Sequence, residues 1–264
     1  MSCRAGWSCL LRFSLSVVLV SLALSVLALP WVNLSWWTVF RRCVSIAAAL
    51  SVWWCIKQEG RQFASYGLPS VRAGKRHLLL GIVLGAGVLA LMLSLGLLSG
   101  VCEVSVTPDR MKLWRTLLSF LPIAVLVGVL EELVFRGFIL QHLLVYSRAL
   151  AIAGSSLAYS LVHLKVFPFS SMTGMELIGL FFLGVVLALG YLRTHQLYFP
   201  IGLHAALAYG ARTNKLMFEL DPTINWLIGT NRLVNGLAGW LVLLGLAGLV
   251  MWWGRSSQGG AKHG

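Results

Sequence analysis

Long apolar runs, separated by short polar or charged breaks, fill most of this chain. Several runs approach the ~20 residues that an α-helix needs to cross the hydrocarbon core of a bilayer. Charged residues make up 11% of the 264 residues and hydrophobic residues 58%, whereas a soluble domain carries about 25% charged residues. The chain is therefore predicted to be an all-α polytopic membrane protein.

The breaks between the apolar runs predict about eight transmembrane helices within a single membrane domain. The second is the least regular, because Arg41 and Arg42 interrupt it near its start, and the seventh carries Pro200 in its first turns. The predicted helices cover residues 11–29, 37–56, 77–100, 113–142, 148–166, 175–192, 196–211 and 233–253.

Basic residues in the short loops predict the orientation of these helices. Loop 57–76 has the highest density of Lys and Arg. It is expected to be cytoplasmic, since these residues favour the inner side of a membrane. Eight crossings then place both termini in the cytoplasm of a multi-pass protein of the cytoplasmic membrane. The basic residues of this loop are Lys57, Arg61, Arg72, Lys75 and Arg76.

The net charge of +13 is spread over many loops. This distribution fits topology signals and contacts with the anionic lipid of the bilayer. No nucleic-acid recognition module is visible, so nucleic acid is not an expected partner. The five cysteines show no CxxC spacing and no paired framework.

Two adjacent glutamates, Glu131 and Glu132, lie inside an apolar stretch, and Arg136 follows the second by four residues. Ionisable residues inside a span are costly and by default indicate function. Residues four apart share a helix face, so we expect Glu132 to pair with Arg136, while Glu131 points about 100° away, into a cavity. A desolvated carboxylate suits a general base near neutral pH. The alternative is that these charges only hold helices together.

Two histidines fall in other predicted apolar helices. His163 follows Tyr159 by one turn, and His204 follows Pro200. With a rise of about 1.5 Å per residue, both histidines and Glu131 lie near the middle of a ~30 Å hydrocarbon layer. They can therefore meet in one pocket. The other histidines stand at predicted helix ends or in the tail, where exposure is expected. The other acidic residues are predicted to lie in loops or at helix boundaries.

Three motifs of the chain resemble those of the CPBP (Abi) family of intramembrane endopeptidases, which includes the type II CAAX prenyl proteases. The motifs are Glu131-Glu132-x-x-x-Arg136, Tyr159-x-x-x-His163 and His204. The resemblance covers roughly residues 113–210. It implies a core of eight helices, which agrees with the number predicted above. It implies that Glu131, His163 and His204 are catalytic and that Glu132, Arg136 and Tyr159 support them.

The resemblance also implies a division of the chain and exposes one departure from the family. Residues 113–211 would form the catalytic core, 1–112 the first three helices with their loops, and 212–264 a loop, the last helix and a short tail. The last family motif normally continues His-x-x-x-Asn (or Asp), but Ala208 stands at that position. If that side chain normally helps to bind an oxyanion, its donor is missing here.

The implied reaction is hydrolysis of a peptide bond in a membrane-anchored peptide or protein, prenylated or ending in a C-terminal helix. Glu131 would activate the water without a cofactor, and His163 and His204 would orient the water or stabilise the oxyanion. A zinc ion on these three residues is the alternative, because one carboxylate and two imidazoles suit a catalytic zinc.

Two other classes of function remain open. Ala208 favours a membrane scaffold or immunity protein that keeps the fold without full catalysis. A transporter with a proton-coupling carboxylate is disfavoured, because no pair of broken helices and no inverted repeat is visible.

Overall fold

The computed structural model describes residues 6–164, 170–230 and 234–253. Within these ranges the chain forms eight main α-helices in the predicted order, two short α-helices, four short 3₁₀-helices, one π-helical segment and one small sheet. The helices are α1 Trp7–Ala28, α2 Trp36–Gln58, α3 Val71–Leu98, α4 Arg110–Glu132, α5 Gln141–Leu143, α6 Arg148–Leu161, α7 Ser171–Thr194, α8 Tyr198–Thr213, α9 Asn225–Ile228 and α10 Leu237–Trp252, and the strands are β1 Cys102–Val104 and β2 Phe218–Leu220.

Five segments of the described chain are long and apolar enough to cross a membrane by length and composition. The helices α6, α8 and α10 have 14, 16 and 16 residues, fewer than the ~20 that a full crossing needs. The all-α polytopic class is confirmed, while the placement of both termini in the cytoplasm stays a prediction. The five segments are Trp7–Trp31, Trp36–Gln58, Phe63–Leu98, Arg110–Leu143 and Ser171–Thr194.

The outward faces of these helices are apolar. Leu15, Leu118 and Leu241 are 60%, 71% and 71% exposed, and many other large apolar side chains share their faces. Contiguous apolar surface on this scale marks an interaction with membrane or protein. Lipid contact accounts for it in a chain of this composition.

Local capping signals explain where two of the helices begin. The Ser35 hydroxyl accepts a hydrogen bond from the Thr38 backbone N–H at 3.4 Å, so α2 starts before the arginines that made it uncertain in sequence. Ser170 and Thr173 form a reciprocal capping box at the start of α7. Ser35 and Ser170 are N-cap residues, whose hydroxyl groups accept hydrogen bonds from backbone N–H groups in the first turn of α2 and of α7.

The predicted helix 113–142 is not one regular helix. It is α-helical as far as Glu132 and then π-helical over Leu133–Leu140, and it finishes as α5. Seven of the eight residues of the π-helical segment are buried. Such segments are rare and occur frequently at functional sites, and this one begins directly after the two glutamates.

A small antiparallel sheet was not predicted. Cys102 of β1 lies opposite Leu220 of β2, so the connection after α3 is tied to the connection after α8. Strands of three residues are too short to show an alternating apolar pattern, so no pattern in the sequence indicated them.

Glycines bring α3 and α8 into backbone contact. A Cβ atom on Gly81 would lie 2.2 Å from the carbonyl oxygen of Phe199, and one on Gly202 would lie 2.2 Å from that of Leu78. Small residues at such interfaces let membrane helices approach closely. This contact fixes α8, and with it the depth of His204.

Substitution of Gly81 by alanine should therefore destabilise the protein. Its methyl group would overlap the Phe199 carbonyl, and overpacking of this kind costs about 1–3 kcal/mol. The matched control is Gly87→Ala on the same helix, where no atom lies within 4 Å. That variant should be neutral or slightly stabilising, since alanine is the better helix former. Thermal unfolding in detergent compares the two, and equal midpoints would contradict the backbone contact.

Candidate active site

Three ionisable side chains from three parts of the fold meet at one point. Glu131 is the penultimate residue of α4, and His204 lies on α8. Glu131 Oε2 lies 3.7 Å from His204 Nε2 and 4.0 Å from His163 Nε2. The structure thus brings together the three residues that the sequence nominated as catalytic.

His163 does not lie within a helix, as the sequence predicted. The predicted helix 148–166 ends at Leu161, and His163 stands in the turn that follows. Its Nδ1 is 2.9 Å from the carbonyl oxygen of Tyr159, so the ring donates its Nδ1 proton there. Nε2 is thereby turned toward Glu131. The last part of the predicted helix, from residue 165, lies outside the described residues.

Glu132 holds the opposite side of the site. Its Oε1 atom accepts hydrogen bonds from Arg136 Nη1 at 2.9 Å and from His204 Nδ1 at 2.8 Å. The Glu132 and Arg136 side chains are fully buried. A carboxylate on Nδ1 fixes the tautomer and orientation of an imidazole, so Nε2 of His204 faces Glu131.

Arg136 connects this pair to α7. Its Nη2 donates a hydrogen bond to the carbonyl oxygen of Gly184 at 3.1 Å. A Cβ atom on Gly184 would lie 2.8 Å from Cα of Ser156, so only glycine lets α7 come this close to α6. No sequence pattern indicated this contact, because Gly184 lies 48 residues from Arg136 along the chain.

Tyr159 packs at the centre of the site. The Arg136 guanidinium lies over its ring at 4.7 Å from the centroid, and the His163 ring lies 5.0 Å away. The His204 ring meets it edge to face at 5.9 Å, as does Phe135 at 5.3 Å. A buried aromatic ring with these neighbours keeps the cation and both imidazoles in place.

The two glutamates have different surroundings, as the helix geometry predicted. Glu132 is fully buried and bonded through Oε1, while its Oε2 has no hydrogen-bond partner among the described residues. The Glu131 side chain is 20% exposed and that of His163 is 33% exposed. Glu131 Oε2 itself is buried, and it has no hydrogen-bond partner among the described residues. A buried acceptor faced by two imidazole nitrogens is arranged to take a small proton donor between them.

The zinc alternative can be tested against the positions of the ligand atoms. Zinc holds nitrogen and oxygen at about 2.0–2.2 Å, so its ligand atoms lie close to one another. In the described part of the chain, three ligand atoms of this type lie within 4.8 Å of one another only at Cys9, Glu59 and His142. The ligand atoms of Glu131, His163 and His204 do not all lie within 4.8 Å of one another. The metal-free reaction at these residues stays a prediction.

Ala208 lies one turn after His204 on α8 and is half-buried. Its methyl group has no hydrogen-bond donor. The amide or carboxyl expected there from the family resemblance is thus missing from the face of α8 that carries His204.

Residues 113–209 match the family model described as Type II CAAX prenyl endopeptidase Rce1-like. The match spans the same stretch as the motifs and supports the CPBP resemblance. No curated protein and no solved structure matches the chain.

Removal of the Arg136 charge should destabilise the fold strongly. Arg136→Met would leave the Glu132 carboxylate buried without its cation, which typically costs about 3–5 kcal/mol. The control is Arg61→Met, which removes an arginine that is 54% exposed and 3.7 Å from Glu59, and the expected loss is below about 1 kcal/mol. Thermal unfolding of both variants in detergent measures the difference. A loss for Arg136→Met no larger than for the control would show that the buried pair is not needed for stability.

Proposed function

We propose that this chain, which carries a type II CAAX prenyl endopeptidase-like core in residues 113–209, is an intramembrane endopeptidase with Glu131 as its general base. At family level the match supports a CAAX protease-type membrane peptidase. The roles of single residues are inferred from geometry. The observation that carries them is the buried Oε2 atom of Glu131, which has no hydrogen-bond partner in the described part of the chain and faces Nε2 of both His163 and His204.

The first step is activation of a water molecule. The two histidines donate their Nδ1 protons to Tyr159 and Glu132, so in the neutral form each offers a lone pair on Nε2. A water between them and Glu131 donates one proton toward Oε2 and the other toward an imidazole. This leaves an oxygen lone pair free to attack the carbonyl carbon of the substrate.

The second step is collapse of the tetrahedral intermediate. Glu131 has taken one proton from the water and now gives it to the leaving nitrogen, so that the C–N bond breaks. The products are a carboxylic acid and an amine, and Glu131 returns to the carboxylate. The imidazole that takes the second water proton on Nε2 donates it back to an oxygen of the intermediate, which completes the carboxylic acid, and Glu132 stabilises the transient charge when that imidazole is His204.

The substrate is proposed to be a membrane-anchored peptide or protein, because the site lies among helices whose outer faces are apolar. Glu131 and His163 are partly exposed while His204 is closed in. A peptide therefore reaches the site from the side of α4 and the turn after α6. Prenylated C-termini are the substrate class that the family description suggests.

A scaffold or immunity protein of the same fold is the second candidate, and Ala208 is the observation that favours it. A protein of this kind would keep the buried Glu132–Arg136 pair for stability but would not need Glu131 to be ionised. Substitution of Glu131 separates the two candidates.

Glu131→Gln should abolish proteolysis, because glutamine keeps the shape but cannot accept the proton. A loss of about 10²–10⁴-fold is typical of a missing general base. The measurement compares peptide termini in the membrane proteome of cells that express the wild type or the variant at equal levels. The control is Glu219→Gln on β2, an exposed carboxylate paired in register with Glu103.

Termini present with the wild type and Glu219→Gln but missing with Glu131→Gln would identify both the activity and its substrate. Identical termini for all three proteins, with Glu131→Gln folded and inserted, would exclude proteolysis through Glu131 and leave the scaffold candidate.

Ala208→Asn should raise the rate of cleavage. Asparagine would place an amide donor one turn after His204, and a single oxyanion donor is worth about 10²–10³ in rate. Ala208→Leu is the matched control, because the leucine side chain is similar in size to that of asparagine but has no hydrogen-bond donor. An increase for both variants, or for neither, would show that position 208 does not act on the oxyanion.

A further inference from the structure

A second cluster of titratable side chains lies away from the candidate active site. Cys9 is in the first turn of α1, Glu59 directly follows α2, and His142 is in α5. One ligand atom from each lies within 4.8 Å of the others. Exposure was expected of His142, and that expectation is wrong: its side chain is 4% exposed. The Glu59 side chain is 8% exposed, and Cys9 is fully buried.

The three ligand atoms are oriented toward one another by further hydrogen bonds. His142 donates from Nδ1 to the carbonyl oxygen of Phe138 at 2.9 Å, which leaves Nε2 facing Glu59 Oε1 at 3.6 Å. The same oxygen lies 4.0 Å from Cys9 Sγ. An imidazole that donates its second nitrogen to a backbone carbonyl is the usual arrangement around a metal-bound histidine.

The two oxygens of Glu59 have separate roles. Oε2 accepts a hydrogen bond from the Tyr66 hydroxyl and lies 3.7 Å from Arg61 Nη1. Oε1 points toward Cys9 and His142. The carboxylate is therefore anchored through one oxygen and offers the other to the cluster.

We propose that Cys9, Glu59 and His142 bind a zinc ion that clamps α1 and α2 to the helical core. Thiolate, imidazole and carboxylate are the ligand types that zinc takes. Zinc–ligand distances of about 2.0–2.3 Å require the present separations to shorten by only a few tenths of an ångström to about 1 Å. One thiolate and one carboxylate also neutralise the divalent cation in a buried place, and water completes the fourth position.

The position of the cluster gives the ion a structural role. His142 lies within the segment that matches the endopeptidase family, whereas Cys9 and Glu59 precede it. Phe13 and Phe138 also pack here, with ring centroids 4.8 Å apart. The zinc would join the first two helices to the core, independently of the chemistry proposed for Glu131.

Cobalt binding tests this proposal, because a thiolate bound to Co²⁺ gives a charge-transfer absorption band. The full chain, reduced in detergent and stripped of metal with a chelator, is titrated with Co²⁺ alone and then with Zn²⁺. The expected result is one Co²⁺ per chain, a charge-transfer band that Zn²⁺ displaces, and a rise in the unfolding temperature when Zn²⁺ is added.

Matched variants assign the band to the cluster. Cys9→Ala and His142→Gln should abolish it or weaken it at least tenfold, and Cys9→Ser should do so without a change in side-chain size. Cys43→Ala, which removes another buried cysteine, should leave the band unchanged. Glu131→Gln should also leave it unchanged, so the metal result does not depend on the proposed peptidase activity.

Three results would overturn the proposal. They are the lack of a charge-transfer band in the reduced wild type, a band that survives Cys9→Ser, and a band lost with Glu131→Gln. The first would leave Glu59 and His142 as an ion pair with the Cys9 thiol beside it. The other two would place the metal elsewhere in the chain.

Discussion

The buried ion pair between Glu132 and Arg136 is the interaction on which the site depends. A charge in a medium of low dielectric constant is tolerated only when it is paired and hydrogen-bonded, and here one pair serves three helices. Arg136 reaches the backbone of α7 at Gly184, and Glu132 holds the ring of His204 on α8. Glu132 is committed to this role through its Oε1 atom, and Glu131 beside it has a buried Oε2 atom with no hydrogen-bond partner among the described residues.

Much of the site could be predicted from the sequence, since its geometry is local. The spacing of Glu132 and Arg136 gives their contact directly, and the adjacent Glu131 must then point elsewhere. The convergence of Glu131 with His163 and His204 could be predicted from their depth in the bilayer. All helices that cross a membrane span the same hydrocarbon layer, so positions near the middle of each can meet. The Rce1-like match over residues 113–209 supports the family inferred from these motifs, while the catalytic roles stay predictions.

What the sequence could not show depends on contacts between distant residues or on backbone detail. The π-helical segment Leu133–Leu140 keeps the same apolar pattern as an ordinary helix. The end of α6 at Leu161 has no breaker residue before His163. Cys9, Glu59 and His142 are separated by 50 and 83 positions along the chain, and each alone looks like an ordinary residue at the end of a helix.

The contact between α3 and α8 determines how small a functional unit this chain can contain. Gly81 belongs to a helix outside the family-matched stretch, yet its backbone supports the helix that carries His204. A fragment cut to residues 113–209 would keep every motif but would lack α3. The side of α8 that contains Gly202 would then face lipid tails, which pack less closely against a helix backbone than α3 does. The motifs therefore hold the residues of the proposed chemistry, and the helix that precedes them is part of its minimal scaffold.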